Sequence, residues 1–163
     1  MIIIGIGSNL TSEICRSKQE ACETSIELLK ENNIEIISKS SWYETSPIPS
    51  SVQPNFINGL ISVNTQLNSL NLLKLLLRIE LQMGRVRTGK NAARIIDLDI
   101  IAFNKEKIET KTLTLPHPRL TQRAFVVIPL IEIAPKWRHP VTGTKIIEFR
   151  EMVSDQRIRK LSE

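Results

Sequence analysis

Aromatic residues are scarce in this chain: two Trp, one Tyr and four Phe among 163 residues. That scarcity argues against a basic single-stranded RNA platform, in which rings on neighbouring strands stack successive bases. Cysteine is scarcer still, with only Cys15 and Cys22. On one helix, seven residues apart, they would sit about two turns apart and too far to bridge, so reduced core thiols are expected. No apolar run approaches the length of a bilayer span, and Met1-Ile2-Ile3-Ile4-Gly5 has neither a basic leader nor a small-residue cleavage site. A cytoplasmic protein without a membrane partner is the expectation. Gly5-Ile6-Gly7 lacks the third glycine and the acidic ribose partner of a dinucleotide fingerprint, and no P-loop occurs. No second His or Cys lies near His117, which argues against zinc.

What the chain does have is positive charge, +5 net. That sign suits either a nucleic-acid or membrane surface or a site for a small polyanion, and the distribution decides between them. Arg85, Arg87, Lys90 and Arg94 fall within ten residues and lead into Asp97-Leu98-Asp99, while Arg119 and Arg123 flank His117 and Phe125. The basic tail at Arg157, Arg159 and Lys160 reads as a solvated helix end.

The chain length fits a single domain spanning residues 1–163. Residues 2–6 read as a strand. A helix capped by Thr11 or Ser12 would run to about Lys30, with Ile14, Cys15, Ala21, Cys22, Ile26 and Leu29 as its apolar stripe. Residues 34–44 read as a second strand and the proline-bearing stretch 45–55 as a loop. Residues 56–65 alternate as a strand, residues 69–83 form a second helix, and Gly84 supplies its left-handed stop. With the aspartate strand the order is βαββαβ, which predicts an α+β, ferredoxin-like core: an antiparallel sheet with helices packed on it. Beyond Asn104 come a hairpin, a short helix at about residues 121–131 and a turn at His139-Pro140-Val141-Thr142-Gly143.

Asp97 and Asp99 stand two apart in a run of Ile and Leu, so on a strand they face the same way with α-carbons roughly 6–7 Å apart. Two carboxylates so close repel each other, and a divalent cation between them that also touches phosphate resolves the conflict. An isolated Asp-x-Asp is often mere decoration of an edge strand. Here Ile95, Ile96, Leu98, Ile100 and Ile101 point to a buried, central one. The arginine-rich stretch upstream reads either as a solvated connection or as a clamp and lid for a polyphosphate, whose oxygens guanidinium forks match. Phe56 and Asn58 share a strand face. With Phe125 they are either core residues or two rings sandwiching a flat heterocycle whose edge Asn58 reads. His117, between two prolines, is a turn residue or a phosphate-contacting imidazole.

Several motifs then converge: Gly7-Ser8-Asn9, Gln53-Pro54-Asn55-Phe56-Ile57-Asn58, Arg78-Ile79-Glu80-Leu81-Gln82, Gly84-Arg85-Val86-Arg87, Leu115-Pro116-His117-Pro118-Arg119, and the run at residues 90–101. Nearly end to end, the chain resembles the 6-hydroxymethyl-7,8-dihydropterin pyrophosphokinase family. That run fits the family signature at every position: a basic residue, two small residues before Arg94, then Asp-Leu-Asp and two aliphatics. The resemblance implies transfer of the β,γ-diphosphate of ATP to the pterin hydroxymethyl oxygen, in folate biosynthesis, using two Mg2+ ions; a monomer is the separate expectation for this chain. It implies that Asp97 and Asp99 hold both ions, and that Arg85, Arg87 and Arg94 neutralise the transferring diphosphate. His117 and Arg123 would contact ATP phosphates, and Phe56 and Phe125 would stack the pterin. Asn58 and the backbone of Thr45, Ser46 and Ile48 would hydrogen-bond its edge. Glu80 matches a family glutamate and is read as a helix-end acid steadying the arginines. The sequence departs from the family pattern at Asn91, where an aromatic often caps the pterin. It departs also at Ala92-Ala93, which replace Gly-Pro, and at Leu77 and Pro118. The rival from another reaction class is a two-metal nuclease or nucleotidyltransferase using the same aspartates.

Overall fold

A computed structural model describes residues 1–86, 89 and 92–162. β1 (Ile2–Ser8) is apolar on both faces, and it lies inside a six-stranded sheet. Its neighbours, both antiparallel, are β5 (Asp97–Phe103) and β4 (Phe56–Asn64). β4 pairs over its first residues with β3 (Tyr43–Thr45) and over its last with β2 (Glu35–Lys39). The order β5-β1-β4-β3, with β2 also on β4, is the ferredoxin-like arrangement expected, extended by β8 (Ile158–Lys160) beyond β3. β6 (Ile108–Glu109) and β7 (Thr114–Leu115) form the separate hairpin.

α1 (Lys18–Glu31) and α2 (Ser69–Gln82) cover one face of the sheet, over Ile4, Ile6, Ile61, Leu98 and Ile100. α3 (Ala124–Ile133) covers the other, over Ile3, Leu60, Ile101 and Ala102. Glu132 at the end of α3 accepts from Tyr43 Oη (2.8 Å) and Ser41 Oγ (2.7 Å). At its beginning, Gln156 Oε1 accepts from Ala124 N (2.8 Å). The C-terminal elaboration thus fixes the end of α3 that carries Arg123 and Phe125.

Four local expectations are corrected. α1 starts at the cap Ser17, whose Oγ accepts from Glu20 N (3.0 Å), rather than at Thr11 or Ser12. Ser12 Oγ instead accepts from Cys15 N (3.0 Å) in a turn, Ile14 is exposed and Cys15 is buried ahead of the helix. The overlooked signal was Ser17-Lys18-Gln19-Glu20, with Glu20 also accepting from Arg16 N (2.7 Å). Residues 34–44 are two strands because Ser40 Oγ takes the place of a ladder carbonyl toward Leu60 N (2.9 Å), and Trp42 turns onto Gly59. The basic tail is strand β8, with Arg159 paired to Glu44 (2.8 Å), not a helix end.

The fourth correction concerns the aspartate strand, which is an edge rather than a centre. It reads as central because helices cover both faces: Leu98 and Ile100 pack toward α2, Ile101 toward α3. Its outer edge is met by His117 N, which donates to Ile101 O (2.9 Å). Both cysteines are free and buried, and no helix among the described residues is long and apolar enough to cross a membrane.

Candidate active site

Asp97 and Asp99 open β5, paired with Gly7 and Gly5 of β1. Their side chains face the α3 side of the sheet, near the end where α3 begins, and line one cleft. A Cβ on Gly7 would lie 3.0 Å from Asn58 Oδ1, so that glycine clears the floor beside the Asn58 amide. The opposite wall is the proline loop, with Thr45, Ser46 and Ile48 lining the cleft. Phe56, Asn58, Phe125, Arg94 and Arg123 complete it. Asn58 Nδ2 donates to Thr45 Oγ1 (2.8 Å), tying floor to wall. Each ring carries a guanidinium: Arg94 lies 5.5 Å from the Phe56 centroid and Arg123 5.3 Å from that of Phe125.

The electrostatics follow from crowding three acids near the start of β5. Burial first, then the charges of Asp97 and Glu80, push the Asp99 carboxyl from 3.8 to about 7, against the opposing pull of Arg123 and Arg94. Asp97 is better compensated. Its Oδ1 accepts from Arg85 Nη1 (2.7 Å), and Arg94 Nε lies 3.5 Å from its Oδ2. Arg94 Nε is buried and makes no hydrogen bond, a donor poised for an anionic ligand. Arg85 Nη1 also pairs with Glu80 Oε1 (2.6 Å), which accepts from Leu98 N (2.8 Å) as well.

The expected residues do not all reach one cavity. Arg85 sits behind Asp97 with its side chain 9% exposed, outside the cleft lining. His117 lines a second cleft with Lys107, Thr114 and His139. Burial, then the charges of Arg123 and Arg119, push the His117 pKa down to about 4, so its imidazole is neutral near pH 7. Its Nδ1 accepts from Arg119 N (3.1 Å), which leaves the proton on Nε2 as a donor. Arg87 and Asn91 lie outside the described residues.

One site residue escaped the sequence reading. Asn9 is fully buried, and its Nδ2 donates to Gln53 Oε1 (3.1 Å) and Pro54 O (3.3 Å). Its Oδ1 accepts from Arg94 N (2.8 Å). It joins the proline loop to the backbone of Arg94, two walls of the cleft. The signal in the sequence was the motif Gly7-Ser8-Asn9 itself, which places a polar residue just past β1.

No group of three or more His, Cys, Asp or Glu side chains suited to a metal occurs among the described residues. The two aspartates still fit a hard divalent cation, because Mg2+ is commonly held by one or two carboxylates with the remaining ligands from water and substrate phosphates. Burial first, and then the charges of Asp97 and Glu80, raise the Asp99 pKa, and a cation between the carboxylates would offset both.

Fold and site together define an α+β domain that offers a two-carboxylate, arginine-flanked cleft beside an aromatic pocket: a place for a polyanion next to a flat ring. The family model for 7,8-dihydro-6-hydroxymethylpterin-pyrophosphokinase (HPPK) matches residues 3–135, and the chain belongs to that family. A protein of Synechocystis named 2-amino-4-hydroxy-6-hydroxymethyldihydropteridine pyrophosphokinase is 37% identical over 151 residues, 93% of this chain and 75% of that one. The Haemophilus influenzae protein of the same name is 32% identical over 160 residues, 98% of this chain and 96% of that one. The solved HPPK-DHPS chain of Plasmodium falciparum aligns with a TM-score of 0.73 over 94% of this chain at 18% identity, a likeness of fold. This chain spans 45% of that longer one.

Proposed function

We infer that this chain transfers the β,γ-diphosphate of ATP to the hydroxymethyl oxygen of 6-hydroxymethyl-7,8-dihydropterin, giving the pterin diphosphate and AMP for folate synthesis. The observation that carries the reading is the meeting, in one cleft, of the Asp97–Asp99 pair with Phe56, Asn58 and Phe125. Phe56 and Phe125 bracket the pterin ring, while Asn58 and the backbone of Thr45, Ser46 and Ile48 read its polar edge. That placement turns the hydroxymethyl group toward the aspartates. Its oxygen gives up its proton to solvent and bonds to the β-phosphorus as the α–β bridge breaks, and AMP leaves with the bridging oxygen.

Asp97 and Asp99 would hold Mg2+, two ions in this reading, which when bound neutralises phosphate charge and lowers the pKa of a coordinated hydroxyl. Arg94, with its undirected Nε donor, Arg85 and Arg123 stabilise charge on the transferring diphosphate, joined by Arg87. His117 donates its Nε2 proton in a hydrogen bond to an ATP phosphate oxygen and stays neutral throughout. The protein acts as a cytoplasmic monomer, with neither nucleic acid nor membrane as partner.

The test is incubation with ATP, Mg2+ and hydroxymethyldihydropterin, followed by nucleotide chromatography. AMP release that depends on the pterin is expected. ATP left intact, or ADP formed in place of AMP, overturns the assignment.

A further inference from the structure

Arg85 is tied to Glu80 twice. Gly84, at φ +87°, ends α2 so that Gly84 N donates to Leu81 O and Arg85 N donates to Glu80 O, each at 3.0 Å. This paired C-terminal cap turns the Arg85 side chain back over the last turn of the helix. There a single nitrogen, Nη1, serves two carboxylates: Glu80 Oε1 at 2.6 Å and Asp97 Oδ1 at 2.7 Å. Glu80 is 2% exposed and is itself held by Leu98 N. A cation arriving at Asp97 Oδ1 therefore finds that oxygen already taken by a buried guanidinium. Arg85 can surrender Asp97 without becoming an unpaired buried charge only because Glu80 stays in place.

Resting on the cation reading given above, we propose that Glu80 is a positioning residue that anchors Arg85 while Asp97 exchanges that guanidinium for a divalent cation. The exchange frees one N–H of Arg85 to turn toward the ATP phosphates. Cation binding and the arming of Arg85 are then one event, with Glu80 as its fixed point.

The test is binding of Mn2+ alone to the full chain, followed by the electron paramagnetic resonance signal of the free ion, in a double-mutant cycle. Glu80→Gln keeps an oxygen acceptor for Leu98 N but leaves Asp97 as the sole counter-ion of Arg85 among the described residues, so the Kd for Mn2+ rises tenfold or more. Arg85→Met removes the competitor and lowers the Kd below that of the wild type. On the Arg85→Met background, adding Glu80→Gln shifts the Kd by less than twofold. A repeated tenfold loss there shows that Glu80 acts on the cation only through its charge, and overturns the proposal. Should Glu80→Gln fail to fold, Arg85→Met decides alone, and an unchanged or weaker Mn2+ affinity refutes the exchange. Wild type that takes up no Mn2+ overturns the cation reading itself, a failure distinct from additive effects in a protein that binds.

Discussion

Replacing Asp99 with Asn separates what the aspartate pair does for the fold from what it does for the reaction. The amide keeps the shape of the side chain and discards its charge. In metal-free protein the Asp99 carboxyl is pushed from 3.8 to about 7, first by burial and then by Asp97 and Glu80. A carboxyl with a higher pKa folded than unfolded holds its proton more tightly in the native state. Its contribution to stability is therefore full below pH 3.8, declines as pH rises, and is lost above about 7. One pKa unit is worth about 1.4 kcal/mol, so the ceiling on the cost of ionising Asp99 is on the order of 4 kcal/mol. Asp99 keeps partial contact with solvent, and screening reduces the effect to about 1–2 kcal/mol.

At about 2–4 °C per kcal/mol for a chain of this size, Asp99→Asn should melt roughly 2–8 °C above wild type at pH 8 with a chelator present. Near pH 4 the two should melt nearly together, because wild-type Asp99 is then protonated in the folded state. Mg2+ should raise the melting temperature of wild type and not that of the variant. Turnover should fall by about a hundredfold or more, since on the proposed reading Asp99 is a cation ligand. Equal melting temperatures at pH 8, or a gain that persists undiminished at pH 4, would refute the electrostatic account.

Gly59→Ala would put a methyl group 2.6 Å from two ring carbons of Trp42, whose Nε1 is pinned to Glu23 at 2.7 Å. It should cost about 2 kcal/mol, read as a lower urea midpoint, and an unmoved midpoint contradicts the packing described. Asn9→Ala breaks the bonds to Gln53, Pro54 and Arg94. A loss of about 2 kcal/mol is expected, together with a higher KM for both ATP and pterin; lowered stability with both KM values unchanged would make Asn9 structural only. His117 should stay neutral, protonated on Nε2, from pH 8 down to 5.5 in nitrogen-15 NMR, because its pKa is lowered to about 4. A group with its folded pKa so depressed withdraws stability as pH falls from 6.5 toward 4. A titration midpoint near 6.5 would contradict its burial.

How much could be read in advance depended on whether a feature is local. The period of two placed Asp97, Asp99 and Ile101 on one face of β5 and Leu98 and Ile100 on the other, and the contacts divide that way. The left-handed stop at Gly84 was equally local, a single residue with no Cβ to obstruct it. The position of β5 in the sheet was not. An edge strand sandwiched between helices has the same apolar pattern as a central one, and only the long-range pairing of β1 with both β4 and β5 tells them apart. The start of α1 was missed for a related reason. Ser12 and Ser17 are each competent caps, and the choice falls to Ser17 because Glu20 lies three residues further on and Cys15 is buried outside the helix.

The same distinction explains why Glu80 was read only through the family resemblance, as an acid steadying the arginines, while the aspartates were read from their spacing. An acid at a helix end is ordinarily surplus to the fold, and at the C-terminal end it even opposes the helix dipole. Glu80 is tolerated there because the Gly84 turn returns Arg85 over it and the edge strand presents Leu98 N to the same oxygen. The end of α2, the turn that follows it and the edge strand eighteen residues on thus meet on one carboxylate. None of them carries a motif that announces the other two, whereas Asp97 and Asp99 announce each other by spacing alone. The edge position of β5 is what makes the meeting possible. At its first residues buried charge is shared among Glu80, Arg85 and Asp97, while Asp97 and Asp99 both line the cleft. A central strand would have had a neighbouring strand in the place where Leu98 N meets Glu80.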